Sequence, residues 1–406
     1  QKKKMKGIDL IMKKLKEELK YGKKGITLIS LVVTIIVLLI LAGVTIATLT
    51  RDNGILTRTQ QAKNETEQAE DIEKIRLAIT EAQIGDTGYQ ELTTDSLGSI
   101  LIKDGTKAIV FDSEDGTKHI LFLDKKKEYK LDSNGNIENL NINFDAKYIA
   151  PSSQDEERNN GVIGIGTDGK PVDMDLWEYT KLDDGTYALN SEETMTAVKE
   201  ENWLEAKMGY LGTFTENGKI DGMIPQYIKG ETDDTFIPVT DLTYLFARNE
   251  NIKVMPDIPN TVINMNNTFL KCINLTTLSK IPVGVINMQS TFAQCTLIKD
   301  APQIPNTVEN MTGTFRDCTN LVSAPTIPNS VTNMQEAFIN CSKLTGIITI
   351  NANLTGAVLS NGRKDYYSMF WNIGTEEGCE IRVTGTCPIL QEYVTALNRD
   401  NITLLD

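Results

Sequence analysis

One histidine, His119, serves the whole 406-residue chain. That scarcity weighs against a His-based catalytic triad and against a His-rich metal centre. Six cysteines in a chain of this length do not make a disulfide scaffold. Positive charge is also short: 41 Lys and Arg stand against 55 Asp and Glu, a net −14. An acidic body repels phosphates, so no nucleic-acid partner is expected. No segment sets a nucleophile beside a base in a local motif. The acidic pairs Asp183-Asp184 and Asp233-Asp234 read as solvated turns, so the chain is not expected to be an enzyme. Gly164-x-Gly166-x-x-Gly169 has the glycine spacing of a dinucleotide fingerprint, but its third Gly falls in Asp168-Gly169-Lys170-Pro171, a turn into another strand. The fingerprint needs a helix N-terminus there, so no cofactor is expected.

What is present is unevenly spread. Residues 1–25 carry ten Lys against Asp9, Glu17 and Glu18, a local +7 that leaves −21 on the rest. The chain opens on Gln1, and Met5 and Met12 are candidate start residues. From Ile26 to Leu49 there is no charge. As a helix these residues span about 36 Å, enough to cross a hydrocarbon layer of about 30 Å. The run exceeds the apolar core of a removable signal peptide. Lysines on its N-terminal side place that end in the cytosol and the body outside. Ile26–Leu49 therefore reads as a single-pass anchor.

The segment Lys23-Lys24-Gly25 followed by Ile26-Thr27-Leu28-Ile29 resembles the N-terminus of type IV prepilins and pseudopilins, a likeness covering residues 23 to about 84. The resemblance implies a prepilin peptidase that cuts between Gly25 and Ile26. In that family the fifth residue after the cut is typically Glu, whose carboxylate neutralises a neighbour's amine in the fibre core. Ser30 occupies that position, and a hydroxyl does not offset a buried ammonium as a carboxylate does. This departure favours a membrane-retained protein over a homopolymeric pilus.

Gln60 to Ile84 contains no Gly or Pro, and Ile72, Ile75, Ile79 and Ala82 fall on one helical stripe. Residues 57–68 lack large apolar side chains and read as an exposed stalk. Residues 86–150 read as β-hairpins, with "SILIKDGTKAIVFDSEDGTKHILFLDKKKEYKLDSNGNIENLNI" divided at Asp104-Gly105, Asp115-Gly116 and Asn134-Gly135. "DSNGNIE" (132–138) lacks the glycine placement of an EF-hand and reads as a plain turn. A linker is expected over "APSSQDEERNNG" (150–161), then a β-rich module with Trp177 and Tyr179 on opposite sides of one strand.

The strongest pattern lies near the C-terminus. "IPNTVINMNNTFLKCINLTTLSK" begins at Ile258 and recurs in three further copies, ending at 349, with a period of 23 and no gap. A degenerate unit with Leu242, Phe246, Ile252 and Pro256 precedes them. A period in the twenties means a solenoid. Stacking puts Met265, Met288, Met311 and Met334 in one column, and Phe269, Phe292, Phe315 and Phe338 in another. Asn264, Asn287, Asn310 and Asn333 form a third, expected to satisfy backbone groups at a bend. Cys272, Cys295, Cys318 and Cys341 form a fourth. Thiols repeated this way make a line rather than a tetrahedron, so they read as small buried hydrophobes, not zinc ligands. Cys379 and Cys387 stand outside the repeat, and their pairing is open.

These Asn-Met, Thr-Phe or Ala-Phe, Cys and Leu positions resemble the leucine-rich repeats of BspA-type bacterial surface proteins over about 235–349. The resemblance implies a short strand per coil on a curved face ("LTTLS", "IKDAP", "LVSAP", "LTGII") and binding of other molecules at the cell surface. "GCEIRVTG" (378–385) reads as a closing strand and "PILQEYVTALNRDN" (388–401) as a capping helix. Tyr366, Tyr367 and Trp371 read as buried capping aromatics rather than a sugar platform.

The expected architecture is α+β: a membrane-spanning helix, small antiparallel β modules, then the repeat solenoid. The expected segments are leader 1–25, transmembrane helix 26–49, stalk 50–85, pilin-like β module 86–150, cap module 151–234, solenoid 235–349 and C-terminal cap 350–406. The expected function is a bacterial surface protein, anchored in the cell membrane, that binds an extracellular protein or carbohydrate. The alternative is a minor pseudopilin of a secretion or uptake fibre.

Overall fold

The computed structural model describes residues 55–85, 88–142, 144, 147, 162–202, 205–229, 235–355, 362, 364, 368–397 and 399–405. The Lys-rich leader, Ile26–Leu49, the Gly25–Ile26 junction and Ser30 lie outside these residues, as do the whole of the 150–161 linker reading, Asp233-Asp234, Tyr366 and Tyr367. Among the described residues no helix is long and apolar enough to cross a membrane. The chain divides into two compact units, one ending at Lys74 and the other spanning residues 75–406.

In the first unit the described residues belong to helix α1, which runs Ile55–Gln83. Residues 58–66 are exposed. Polar i,i+4 pairs support them, Gln60 with Asn64 at 3.0 Å and Lys63 with Glu67 at 3.7 Å. In the second unit the last turns of α1 bury Ile75, Ala78 and Ala82. The expected stripe of Ile72, Ile75, Ile79 and Ala82 is thus rotated. Ala78 takes the buried place, and Ile72 and Ile79 are only half-buried at its flanks.

Ser99–Lys103, read from the sequence as a strand, is helical: α2 spans Thr94–Lys103. Thr93 caps it, its side chain accepting from Ser96 N at 3.0 Å while Ser96 Oγ accepts from Thr93 N at 3.1 Å. Leu97 and Leu101, one turn apart, fill the buried face. Asp104-Gly105 is therefore a helix end, not a hairpin turn. Gly105 N donates to Ile102 O and Thr106 N to Leu101 O, with Gly105 at φ +80°.

The two other turn signals do close hairpins. Strands Ala108–Asp112, Lys118–Phe122, Lys127–Leu131 and Ile137–Asn139 form a four-stranded antiparallel meander in chain order. Gly116 and Gly135 sit at φ +78° and +83° in its turns. In the second turn Asp132 accepts from Asn134 N, Asn136 N and Asn136 Nδ2 at 2.8–2.9 Å, and these bonds hold its carboxyl below the usual carboxylate range.

A second, mixed sheet has six strands in the order Pro171–Val172, Ile163–Gly166, Pro225–Lys229, Phe236–Asp241, Tyr187–Ala188, Thr180–Lys181. Gly164 and Gly166 lie in one strand and Gly169 in the hairpin turn that follows, at φ +74°. A Cβ on Gly169 would stand 2.8 Å from the Phe111 ring, so packing as well as conformation demands glycine there. Trp177 and Tyr179 do not flank a strand as expected: Met174–Leu176 is a 3₁₀ turn, Trp177 is buried and Tyr179 half-buried.

Ile109, Leu121, Leu123 and Phe144 of the first module share one apolar cluster with Ile165, Tyr227 and Phe236 of the six-stranded sheet. The expected boundary near 150 therefore separates two halves of one packed interface. The boundary expected at 234/235 falls between two paired strands, Pro225–Lys229 and Phe236–Asp241. A sheet with an apolar side must cover it, and here each sheet covers the other. The main core runs without interruption from Val162 through the repeats to Ile402.

Candidate binding surface of the repeat array

Each coil is built by hydrogen bonds to the next. Met265, Asn267, Phe269 and Lys271 donate their N–H groups to the carbonyls of Asn287, Gln289, Thr291 and Ala293, at 2.7–2.9 Å. The following coil repeats this from Met288, Ser290, Phe292 and Gln294. Parallel bridges link Asp241, Asn264, Asn287, Asn310 and Asn333 in sequence. The asparagine side chains fold back: the Oδ1 atoms of Asn264, Asn287, Asn310 and Asn333 accept from the backbone N two residues on, at 3.0–3.2 Å. This is the bend-satisfying role that a buried turn requires.

A second ladder pairs Val254 with Thr277 and Asp300 with Ser323. These are the places where short strands were expected. Most are single bridges, and only the last coil extends into a true strand, Gly346–Thr349. Two positions per coil are left-handed. Tyr244, Asn267, Ser290, Gly313 and Glu336 fill one, at φ +51° to +61°. Arg248, Lys271, Gln294, Asp317 and Asn340 fill the other, at φ +60° to +64°. Neither is reserved for glycine, so the inter-coil bonds hold ordinary residues in a conformation costing about 1–2 kcal/mol each.

The inward columns are closed. Met265, Met288, Met311 and Met334 are at most 1% exposed, and Phe269, Phe292, Phe315 and Phe338 are 0% exposed. The phenylalanine rings stack at 5.6 Å with interplanar angles of 8–14°. The stack continues beyond the repeats, through Phe246, Tyr210 and Trp177 at one end and Phe370 and Tyr393 at the other. Cys272, Cys295, Cys318 and Cys341 point their thiols at the carbonyls of Phe246, Phe269, Phe292 and Phe315, at 3.0–3.2 Å. Burial pushes the Cys272 thiol up to about 12 and the other three well above the ordinary thiol range. Cys379 and Cys387 are free thiols.

Both ends of the array are capped. At the first coil the outward carbonyls of Asp241, Thr243 and Leu245 accept from Leu189 N, Asn190 Nδ2 and Tyr210 N. Asn190 is wholly buried, and its Oδ1 accepts from Ser191 N at 2.9 Å. At the other end Phe338 N and Asn340 N donate to Met369 O and Trp371 O. Strands Gly346–Thr349, Ile381–Thr384 and Ile402–Leu404 form a parallel sheet closed by helix α4, Leu390–Leu397, which follows α3, Glu192–Lys199, along the chain. Strand 381–384 and α4 occupy the places expected for the cap. The outer strand at 402 carries no signal beyond a short apolar run. Tyr393 of α4 accepts from Phe370 N at 2.9 Å. Phe370, not Trp371, is the buried capping aromatic; Trp371 is 53% exposed.

The chemistry left to the array faces outward. Leu297, Val322 and Ile347 are 40–51% exposed in three successive coils; Val322 adjoins the second ladder at Ser323, Ile347 lies in strand Gly346–Thr349, and Leu297 stands in the turn before Asp300. Each is one coil and two residues on from the last, so exposed aliphatic side chains recur along the array. Ile263 and Ile286 make a smaller apolar pair in the residues just before the asparagine column. Elsewhere, His119 Nδ1 meets the buried Glu128 carboxylate, which also accepts from Lys147 Nζ at 2.9 and 3.1 Å, and the imidazole stacks on Phe111. Asp184 caps a hairpin turn by accepting from Thr186 N and Thr186 Oγ1. Each of these groups is engaged in holding its own hairpin.

No protein-family model and no curated protein matches the chain. Among solved structures it is similar to a leucine-rich repeat protein of T. pallidum, at 18% identity and a TM-score of 0.32, covering 55% of this chain and 94% of that one. It is also similar to a leucine-rich repeat protein from Bacteroides ovatus, at 15% identity and a TM-score of 0.26, covering 48% of this chain and 74% of that one. At these scores the alignments carry no weight for fold or function, and the solenoid stands on its inter-coil hydrogen bonds and 23-residue columns.

Proposed function

We propose that the chain is a single-pass bacterial surface protein whose repeat array, of BspA-type leucine-rich-repeat character, binds an extracellular protein or carbohydrate. Ile26–Leu49 is the anchor, with the Lys-rich leader in the cytosol and the body outside. The observation that carries this reading is the division between inside and outside of the coils. Inward columns are consumed by packing and backbone hydrogen bonds, whereas Leu297, Val322 and Ile347 hold aliphatic surface in water in three successive coils. Apolar groups scattered singly need no explanation; their recurrence on a periodic surface suits a contact site. No catalytic role is assigned to any residue. Cells carrying the full chain should adhere to immobilised matrix proteins or glycans, and Leu297→Asp/Val322→Asp/Ile347→Asp should abolish adhesion while leaving the melting temperature within a few degrees. Undiminished adhesion by that variant rejects these three residues as the contact site. Protease added to intact cells should remove the body beyond Arg51; a body digested only after lysis rejects the surface assignment.

A second reading, a minor pseudopilin, is favoured by the chain order, in which the long helix α1 precedes α2 and an antiparallel meander, close to a pilin-like plan. It requires a prepilin peptidase cut after Gly25 and recovery of protein beginning at Ile26 in sheared fibres. Gly25→Leu should block the cut and leave export intact. Protein that stays in the membrane fraction supports the anchor and counts against the fibre.

A further inference from the structure

A half-open cleft of about 580 Å³ lies where α2, the two sheets and the first repeat coils meet. It is of ordinary size for a ligand site. Its apolar wall is Val110, Phe111, Met223, Ile258 and Val283, and Val283 leaves 45% of its surface in water. Glu91, Asp95, Asp112, Asp168 and Asp257 also line it, against one cation among the described residues, Lys280. Asp112 is held by Lys118 at 2.7 Å and Asp168 by Lys170 at 3.4 Å. Asp95 pairs with Lys280 at 3.1 Å, with both side chains more than half exposed, so water weakens that bridge. Glu91 and Asp257 are exposed and make no ion pair among the described residues. Ser99, also in the lining, has its Oγ buried without a hydrogen-bond partner among the described residues.

We propose that this cleft docks an extended peptide segment of a partner protein in which basic side chains alternate with apolar ones. The apolar wall takes the aliphatic side chains and the carboxylates take the cations. No three of the described acidic groups converge as metal ligands would. Carboxylates spread along a groove suit cations spaced along a chain. Lys280 competes for Asp95 and is displaced on binding. The site lies apart in sequence from Leu297, Val322 and Ile347 and does not depend on the adhesion reading.

The test uses the full chain in a neutral detergent and a fluorescent short peptide alternating leucine and lysine. Saturable binding is expected, weakened about tenfold by Glu91→Gln/Asp257→Asn, because two cation partners are lost. Lys280→Met should tighten binding about threefold by freeing Asp95, the reverse of a folding defect. Glu377→Gln/Glu380→Gln removes the same charge at the C-terminal cap and should change nothing. A serine–lysine peptide should bind several-fold more weakly, as it offers nothing to the apolar wall. Absence of saturable binding overturns the proposal. So does an equal loss in the cap variant, which would mean attraction to the acidic body as a whole.

Discussion

The inner coils and the N-terminal cap solve one problem by different means. A coil exposes a row of backbone N–H groups on one side and a row of carbonyls on the other. In the inner coils each row meets an identical coil, so the same residues recur at the same places. At the first coil no earlier copy exists, and the carbonyls of Asp241, Thr243 and Leu245 are met by unrelated donors at 189, 190 and 210. The inner solution is periodic and visible in sequence. The terminal one is assembled from single residues with no pattern. Repeat proteins are held by nearest-neighbour interfaces, so an inner residue serves two interfaces and a terminal one serves one periodic neighbour.

The largest consequence concerns the aromatic stack. Phe292→Ala or Phe315→Ala should cost about 3–5 kcal/mol, because rings on both sides lose a parallel neighbour. Phe370→Ala should cost less, since its ring is already tilted by 44° against Phe338. Chemical denaturation of the three variants measures this, and equal losses would erase the distinction between inner coil and cap. Next in size is Asn190→Leu, expected to cost about 1–3 kcal/mol by leaving the Thr243 and Lys207 carbonyls without their donor. If that variant is as stable as the parent, the cap is not held by Asn190 and the contrast is weaker than drawn.

A smaller effect is expected at the left-handed positions. Gln294→Gly should raise stability by up to about 1 kcal/mol, the relief of backbone strain exceeding glycine's entropy cost. A loss there would mean that the Gln294 side chain contributes more than its strain removes. The smallest effect tests Asp241, which stands where the next four coils have Asn. Burial raises its carboxyl pKa, opposed by bonds from Thr243 N and Asn264 Nδ2. A raised pKa means its contribution is fullest below the unfolded value of about 3.9 and is lost as pH rises through the folded one. Asp241→Asn removes that dependence, so the stability of variant minus parent should grow from about pH 4 to pH 7. A constant difference would show that Asp241 remains as well solvated folded as unfolded.

Legibility followed the same division. The asparagine, methionine, phenylalanine and cysteine columns were readable because each recurs every 23 residues and only stacking places them together. The misread segment at 99–103 is instructive. "SILIK" is a short apolar run rich in isoleucine, as a buried strand is, yet Thr93 and Ser96 make a capping box and Gly105 ends the helix. Those signals stand in the sequence, and the short apolar run, common to strands and buried helices, outweighed them. Trp371 gave no signal at all: Phe370 and Trp371 are adjacent aromatics, and only the position of Tyr393 decides which one turns inward.

By itself the sequence determined the period, the inward columns, the hairpin turns at Gly116 and Gly135, and the charge-free stretch from Ile26 to Leu49. Each of these is local or periodic, so neighbouring residues carry the whole message. The tertiary structure alone decided the left-handed residues at Lys271 and Gln294, the capping bond of Asn190, the exposure of Trp371 and the cleft around Asp257. Those depend on groups far apart in the chain, and backbone hydrogen bonds between coils are blind to the side chains that happen to occupy them.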